Sequence, residues 1–172
     1  VLDNWGSRKK GTLTGVPTGY FDLDDILSGL QKSDLIICAG RPSMGKTALA
    51  LSIARNAALE YGHRVGVFSL EMSNTQLVER LITAEARVDS HLVRTGRLPK
   101  NEWKRLSQAA GPLSEANIFI DDSAGLHVME LRAKARQLKA EHDVDLIIVD
   151  YIQLLNAGGK VESRQQEISF IS

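Results

Sequence analysis

The chain has 172 residues, of which 43% are hydrophobic and 24% are charged, as expected for one globular domain with a substantial core. Lys and Arg together number 21, as do Asp and Glu, so no overall basic character indicates nucleic-acid binding. No run of about 18 apolar residues and no signal-peptide core occurs, and we therefore expect neither a membrane-spanning segment nor a membrane partner.

The predicted elements begin with a loop rich in Gly, Pro and Thr, which leads to a short helix that ends near Leu30. Apolar runs then recur at four places, with helix-length segments between them: residues 35–39, 65–68, 118–120 and 146–149. Strands that alternate with helices indicate βαβ units and a mostly parallel, covered sheet. The predicted fold class is α/β.

The helical segments carry local signals. A capping box formed by Ser73 and Gln76 precedes a periodic apolar stripe, and a second stripe begins at Val128. Between them, residues 88–115 predict two helices joined by a turn at Pro99. The single cysteine, Cys38, lies in the first apolar run, which predicts a buried, inert thiol and suits a reducing cytoplasm.

The segment GRPSMGKT, residues 40–47, follows an apolar run and opens a helical stretch, which is the sequence context of a phosphate-binding loop. Glycines allow the turn to point its N–H groups at phosphate, and the helix N-terminus adds positive potential. The predicted nucleotide-binding positions are Gly40, Ser43, Met44, Gly45, Lys46, Thr47 and Ala48. Lys46 would reach the terminal phosphates and the Thr47 hydroxyl would ligate Mg²⁺. The alternative is an ordinary strand-to-helix turn.

Two carboxylates follow predicted strands and should emerge at the edge where α/β sheets bind ligands. Asp150 could hold Mg²⁺ opposite Thr47, or cap a helix. Glu71 could polarise a water for attack on phosphate, or be a solvated acid, or contact a metal ligand without binding the metal itself. Gln153 could sense the γ-phosphate or cap a turn.

Two further sets of polar residues have ordinary structural interpretations. Asp121 and Asp122 precede Ser123, and such paired acids are more often turn formers and helix caps than metal ligands. The four histidines show no metal-ligand spacing, which indicates surface roles.

Together these blocks resemble the ATPase domain of bacterial replicative DNA helicases of the DnaB family, which are RecA-like motors. The similarity extends from residue 14 to residue 172 and includes GRPSMGKT, FSLEMS, IFIDD, LRAKARQLK, LIIVDYIQLL and SRQQEIS, in the order of the family. The resemblance implies a three-layer RecA-like P-loop NTPase with a mostly parallel sheet, truncated at its C-terminal end. Residues 1–13 would then be a linker or N-terminal extension before the incomplete ATPase domain at 14–172.

The resemblance also implies roles. Lys46 and Thr47 match the family residues that bind the ATP phosphates and Mg²⁺, and Asp150 matches the metal-site carboxylate. Glu71 matches the residue that activates water, and Gln153 matches the residue that couples the γ-phosphate to the DNA-binding loops.

Family members are hexameric rings that hydrolyse ATP between subunits, translocate on single-stranded DNA and unwind duplex at the replication fork. Primase and a helicase loader are therefore expected partners. The strand that the family inserts between the phosphate-loop strand and the Asp150 strand, a principal DNA-binding loop and a basic finger residue have no match here. We therefore expect weak or no activity from this chain alone.

The candidate DNA contact is the loop at residues 158–164, in which Lys160 and Arg164 could bind phosphate, or simply be solvated. Two alternative functions stay open. One is a nucleotide-dependent loader or switch with a RecA-like core, and the other is a small-molecule phosphotransferase, for which residues 88–115 offer only loosely spaced arginines (Arg94, Arg97 and Arg105).

Overall fold

A three-stranded parallel sheet forms the centre of the fold in a computed structural model, which describes residues 13–155. The strands are β1 (Val65–Ser69), β2 (Ile118–Asp121) and β3 (Leu146–Asp150). The helices are α1 (Phe21–Leu27), α2 (Lys46–Arg55), α3 (Asn74–Ala86), α4 (Ser90–Arg94), α5 (Lys100–Glu115) and α6 (Val128–His142). Helix α2 continues into a π-helical segment, Asn56–Glu60, and a 3-10 turn, Ile152–Leu154, follows β3.

The sheet order is β2-β1-β3, with β1 paired in parallel to both neighbours. Every residue of β1 is buried. A continuous apolar run is typical of a parallel strand that is covered on both faces, because no face is left for water. The predicted α/β class and the three predicted strands at 65–68, 118–120 and 146–149 are therefore confirmed.

Alternate side chains of β1 point into two different helical layers. Val65 and Val67 pack in a core cluster with α2 and α3, whereas Phe68 packs with Leu126 and α6 on the opposite face. At Gly66 an added Cβ would lie 3.3 Å from Leu138 of α6, so α6 approaches the sheet closely at this position. The molecule therefore has three layers, with helices on both faces of the sheet.

The first apolar run departs from the prediction. Residues 35–39 form no strand, and the side chains of Leu35 and Ile37 are 68% and 69% exposed. A strand requires a ladder of hydrogen bonds to a neighbour, and no segment among residues 13–155 supplies one here. The predicted burial of Cys38 is also wrong. Its thiol is free and exposed, because the run that contains it is not part of the sheet.

The two helices predicted in residues 88–115 are α4 and α5. They pack on the end of α3 in a small second core, in which Val88, Leu98 and Leu106 are buried. The short helix predicted near the N-terminus is α1, which ends at Leu27. Among the described residues, no helix combines the length and the apolar character needed to cross a lipid bilayer.

The loop before α1 is held by a buried carboxylate that the sequence does not single out, and an asparagine of the π-helical segment after α2 contacts the same loop. Asp24 is 5% exposed and accepts hydrogen bonds from the Thr18 backbone and hydroxyl, both at 2.8 Å. The side-chain amide of Asn56 donates to the Thr18 carbonyl at 3.0 Å. These contacts anchor the N-terminal loop to the helix that follows the glycine-rich turn.

Candidate functional site

The glycine-rich turn folds back over the first residue of α2. Gly45 adopts a left-handed conformation with φ 86°, which suits a residue without a Cβ. The Nζ of Lys46 donates to the Gly40 carbonyl at 2.9 Å, and an added Cβ at Gly40 would lie 3.4 Å from the Lys46 side chain. The ammonium group and the free N–H groups of the helix start therefore lie together, an arrangement that suits an anion.

Helix α2 brings this turn to one edge of the sheet. Its buried residues Leu51 and Ala54 pack in the same cluster as Val65 and Val67, and a short turn connects the end of its π-helical segment to β1. A helix that packs on the strand it leads into must run antiparallel to that strand. Lys46 and Thr47 therefore lie towards the carboxyl ends of the strands.

Glu71 and Asp150 emerge at that same edge. Ser69 pairs with Asp150 in the β1–β3 register, and the Leu70 N–H donates to the Asp150 carbonyl at 2.8 Å. Glu71 follows directly and is exposed, whereas Asp150 is half-buried. Both predicted carboxylates thus lie at the sheet edge towards which the start of α2, with Lys46 and Thr47, is placed.

Gln153 lies in the 3-10 turn that follows β3, after a cis peptide bond between Asp150 and Tyr151. Its side chain is exposed, while Leu155, at the end of the turn, is 2% exposed and anchors the segment in the α6-side core. Gln153 is therefore held near the carboxyl edge, facing solvent. Lys160 and Arg164 lie outside the described residues.

The loop between β1 and α3 is held by side chains at both ends. The buried Ser69 hydroxyl donates to the Met72 carbonyl at 2.8 Å and accepts from the Met72 N–H at 3.2 Å. Ser73 and Gln76 form the predicted capping box. Ser69 was missed in the sequence analysis, and its only signal is a hydroxyl at the end of an apolar strand.

The paired acids at the end of β2 are a turn former and a helix cap, as expected. Asp121 accepts from the Ser123 N–H at 3.0 Å and from the Lys134 Nζ at 2.6 Å. Asp122 accepts from the Asn74 N–H at 2.8 Å and so caps the start of α3. Burial alone raises the pKa of Asp121, but the hydrogen bonds from Lys134 and Ser123 outweigh it and hold that pKa below its ordinary value.

Oxygen ligands at the edge suit Mg²⁺, which prefers carboxylates and hydroxyls. Residues 13–155 contain no group of three or more His, Cys, Asp or Glu side chains that could hold a metal ion alone. A cation here would need further oxygen ligands from phosphate and water, which is how Mg²⁺ is commonly held in nucleotide sites. Thr47 and Asp150 fit that role.

Two of the four histidines make structural contacts away from this edge. His63 is within 3.1 Å of Asp145, at the opposite end of the strands, and His142 stacks on Phe119 with ring centroids 4.2 Å apart. Burial alone raises the pKa of Asp145, but hydrogen bonds from the Arg64 N–H and from His63 lower it overall.

A cleft of about 870 Å³ lies between α2 and α3, beside the glycine-rich turn. Arg55 crosses it, with its Nε 2.6 Å from Glu85, and also pairs with Glu60. The hydrogen bond to Glu85 is the main reason that the pKa of Arg55 lies above its ordinary value. Of the arginines considered for a phosphotransferase lid, Arg94 lines this cleft, and Arg105 donates to the carbonyl of Arg87, which also lines it.

Comparisons of sequence and of structure both relate this chain to replicative DNA helicases. The sequence model of the DnaB-like helicase C-terminal domain matches residues 15–172. The replicative DNA helicase DnaB of Geobacillus stearothermophilus is 48% identical over 166 residues, which cover 96% of this chain and 37% of that protein. The DnaB of a Nostoc species is 51% identical over 168 residues, which cover 96% of this chain and 19% of that protein. The chain thus spans less than two fifths of these relatives.

Two solved structures are also similar. One is described as a DnaB-like replicative helicase and its interactions with primase, with a TM-score of 0.90, 33% identity and coverage of 99% of this chain and 42% of that chain. The other is the ATPase domain of a protein named G40P, with a TM-score of 0.89, 33% identity and coverage of 99% of this chain and 61% of that chain. The RecA-like fold expected from the resemblance is confirmed.

Proposed function

Because the chain belongs to the DnaB-like helicase C-terminal domain family, we propose that it is the ATP-hydrolysing motor segment of a replicative DNA helicase. In the full-length protein it would drive translocation on single-stranded DNA and unwind duplex at the replication fork. The observation that supports the proposal is the position of Lys46 and Thr47, at the start of α2, towards the sheet edge at which Glu71 and Asp150 emerge.

Each residue at this edge has a physical role in the proposal. The N–H groups of Gly40 and of residues 43–48, which include the start of α2, bind the ATP phosphates, and Lys46 adds a positive charge beside them. Glu71 accepts a proton from the attacking water, which its exposed position allows. Gln153, three residues beyond Asp150, relays the state of the γ-phosphate to the DNA-contacting loops.

Mg²⁺ would be held by Thr47 directly and by Asp150 through water, and it would neutralise charge on the phosphate oxygens. Hydroxyl and carboxylate oxygens are the ligands this ion prefers, which supports the assignment of both residues. The cofactors proposed are therefore ATP and Mg²⁺.

The proposed assembly is a closed hexameric ring in which unlike faces of neighbouring subunits meet, with single-stranded DNA in the channel. A ring would concentrate positive charge, including Lys160 and Arg164, that the net charge of zero conceals. Primase and a helicase loader are proposed partners, supported by the similar structure described with primase interactions. The proposed location is the cytoplasm.

The decisive test is phosphate release by the full-length protein, with and without single-stranded DNA, for the wild type and for Lys46→Ala. We expect DNA-stimulated hydrolysis in the wild type and a loss of at least about 100-fold in the variant, because an electrostatic contact to the reacting phosphates is removed. Arg41→Ala, which changes a basic residue of the same loop outside the proposed binding positions, is the matched control.

Retained hydrolysis in Lys46→Ala would overturn the proposed phosphate site. Hydrolysis that does not respond to DNA, together with an absence of strand separation on a forked duplex, would favour the nucleotide-dependent loader or switch.

A further inference from the structure

The Glu71 loop, which we define as residues 70–73, is a short connection between a buried strand and a capped helix. Glu71 itself is exposed, and the Leu70 N–H provides a backbone tie to β3. The direction of a carboxylate on such a loop depends on how the loop is fixed at its two ends. Catalysis by a general base is sensitive to this, since a misplacement of about 1 Å can reduce turnover about 100-fold.

At the first end, the fixing group is the hydroxyl of Ser69. The residue is 2% exposed, and its Oγ both donates to and accepts from the backbone of Met72, at 2.8 and 3.2 Å. One buried side chain therefore closes a turn around Leu70 and Glu71. Few other conformations of the turn would satisfy this hydroxyl, because water cannot easily replace Met72 at a buried position.

At the second end, the fixing group comes from a different strand. The Oδ2 of Asp122, directly after β2, accepts from the N–H of Asn74, the first residue of α3, at 2.8 Å. Its neighbour Asp121 is itself held by Lys134 of α6. The start of α3 is thus attached to the sheet and not only to its own capping box.

We propose that Ser69 and Asp122 are positioning residues for the hydrolytic reaction, which hold the Glu71 loop so that the Glu71 carboxylate meets the attacking water. The inference rests on the proposed function, because it assigns Glu71 as the base. It adds that the carboxylate of Asp122, directly after β2 and outside the phosphate loop and the β3 edge, contributes to the rate of ATP hydrolysis.

The test compares Asp122→Ala with Asp122→Asn in the full-length protein. Alanine removes the acceptor for the Asn74 N–H, whereas asparagine keeps an oxygen at the same place. We expect kcat for ATP hydrolysis to fall roughly ten-fold in Asp122→Ala with KM for ATP within about two-fold, since phosphate binding is left intact. Asp122→Asn should restore at least half of the wild-type kcat.

Asp89→Ala is the matched control. Asp89 is also an exposed carboxylate that accepts from a helix N-terminal N–H, that of His91 at 2.8 Å, but on α4. Asp89→Ala removes the same type of hydrogen bond, but this bond does not hold the Glu71 loop, so kcat should stay within about two-fold of the wild type. A similar kcat loss in both alanine variants would overturn the positioning role.

A second measurement separates positioning from general destabilisation. In a Glu71→Gln background, Asp122→Ala and Ser69→Ala should cause little further loss of kcat, since the group they position has been removed. A full additional ten-fold loss in that background would overturn the inference.

Glu71→Gln distinguishes the two proposals. If this variant hydrolyses ATP as fast as the wild type, Glu71 is not the base, and the proposed role of Glu71 and the positioning role fall together. If Glu71→Gln is inactive while Asp122→Ala keeps wild-type kcat, the proposed function stands and only the positioning role is overturned.

Discussion

Two apolar runs of this chain have similar composition and opposite surroundings. The run that forms β1 and continues to Leu70 is buried at every position, whereas residues 35–39, which lead into the glycine-rich turn, are exposed throughout. The difference is in hydrogen bonding, because β1 pairs with both β2 and β3 and residues 35–39 have no ladder partner within residues 13–155. Hydrophobicity indicates which segments could be strands, but an apolar run becomes a strand only where a neighbouring backbone pairs with it.

The candidate site likewise has two halves, one held by the sheet and one held by local contacts. The Glu71 loop and Asp150 are fixed by the sheet, by Ser69 and by Asp122. The glycine-rich turn is fixed mainly by local contacts, such as that of Lys46 with the Gly40 carbonyl. We therefore expect the acidic half to be rigid in this chain and the phosphate-binding half to depend more on what binds or packs against it.

Amide hydrogen exchange should show the largest difference between the two runs. In the 172-residue chain, we expect the amides of β1 to exchange at least about 1,000-fold more slowly than those of residues 35–39, because only the former are hydrogen-bonded in a buried sheet. Peptide-resolved exchange followed by mass spectrometry measures this. Equal protection of the two segments would mean that residues 35–39 are paired in solution.

Two leucine-to-alanine substitutions, one in each run, test the same comparison through the free energy of unfolding. Leu70 is 8% exposed and Leu35 is 68% exposed. We expect Leu70→Ala to lower the free energy of unfolding by about 2–5 kcal/mol, since it opens a cavity in the core, and Leu35→Ala to change it by less than about 0.5 kcal/mol. Urea unfolding of the 172-residue chain provides both values, and similar losses would contradict the exposed position of Leu35.

The smallest expected effect is the pH dependence of the stability that Asp121, at the end of β2, contributes through its contacts with Lys134 and Ser123. The pKa of Asp121 is lowered in the folded state, where burial is outweighed by its hydrogen bonds from Lys134 and Ser123. Its contribution is present above the unfolded-state pKa of about 3.9 and is lost as pH falls through the lower folded-state value. Asp121→Ala should therefore cost about 1 kcal/mol at pH 7 and less at pH 3.

Urea unfolding at the two pH values measures the cost, and Asp25→Ala, which removes an exposed carboxylate of α1, controls for the loss of one negative charge. A cost of Asp121→Ala that is independent of pH would show that the ion pair with Lys134 does not stabilise the fold.

Much of the fold could be predicted because its signals are local. The capping box at Ser73 and Gln76 and the apolar stripe of α6 depend on residues within a few positions of each other, and the structure has both. The three paired strands could be predicted from continuous apolar runs that end in polar residues, although only β1 is buried at every position. In the site, the glycine-rich turn and the carboxylates after β1 and β3 could be identified because parallel strands end at a common edge.

Other features depended on contacts between distant parts of the chain. The sequence indicates that Asp122 is a capping residue. It does not indicate that Asp122 caps α3, whose first residue is 48 positions away. The burial of Asp24 against Thr18, and the double hydrogen bond of Ser69, likewise have no distinctive sequence pattern.

The sequence by itself determined the α/β class, the family and the residue types of the candidate site, because periodicity, glycine placement and motif order are written in neighbouring residues. Only the tertiary structure decided which apolar runs are strands and which side chains hold Glu71 in place. The physical reason is that strand pairing and long-range hydrogen bonds join segments that are far apart in the chain, so their outcome depends on which backbone and which donors arrive beside them.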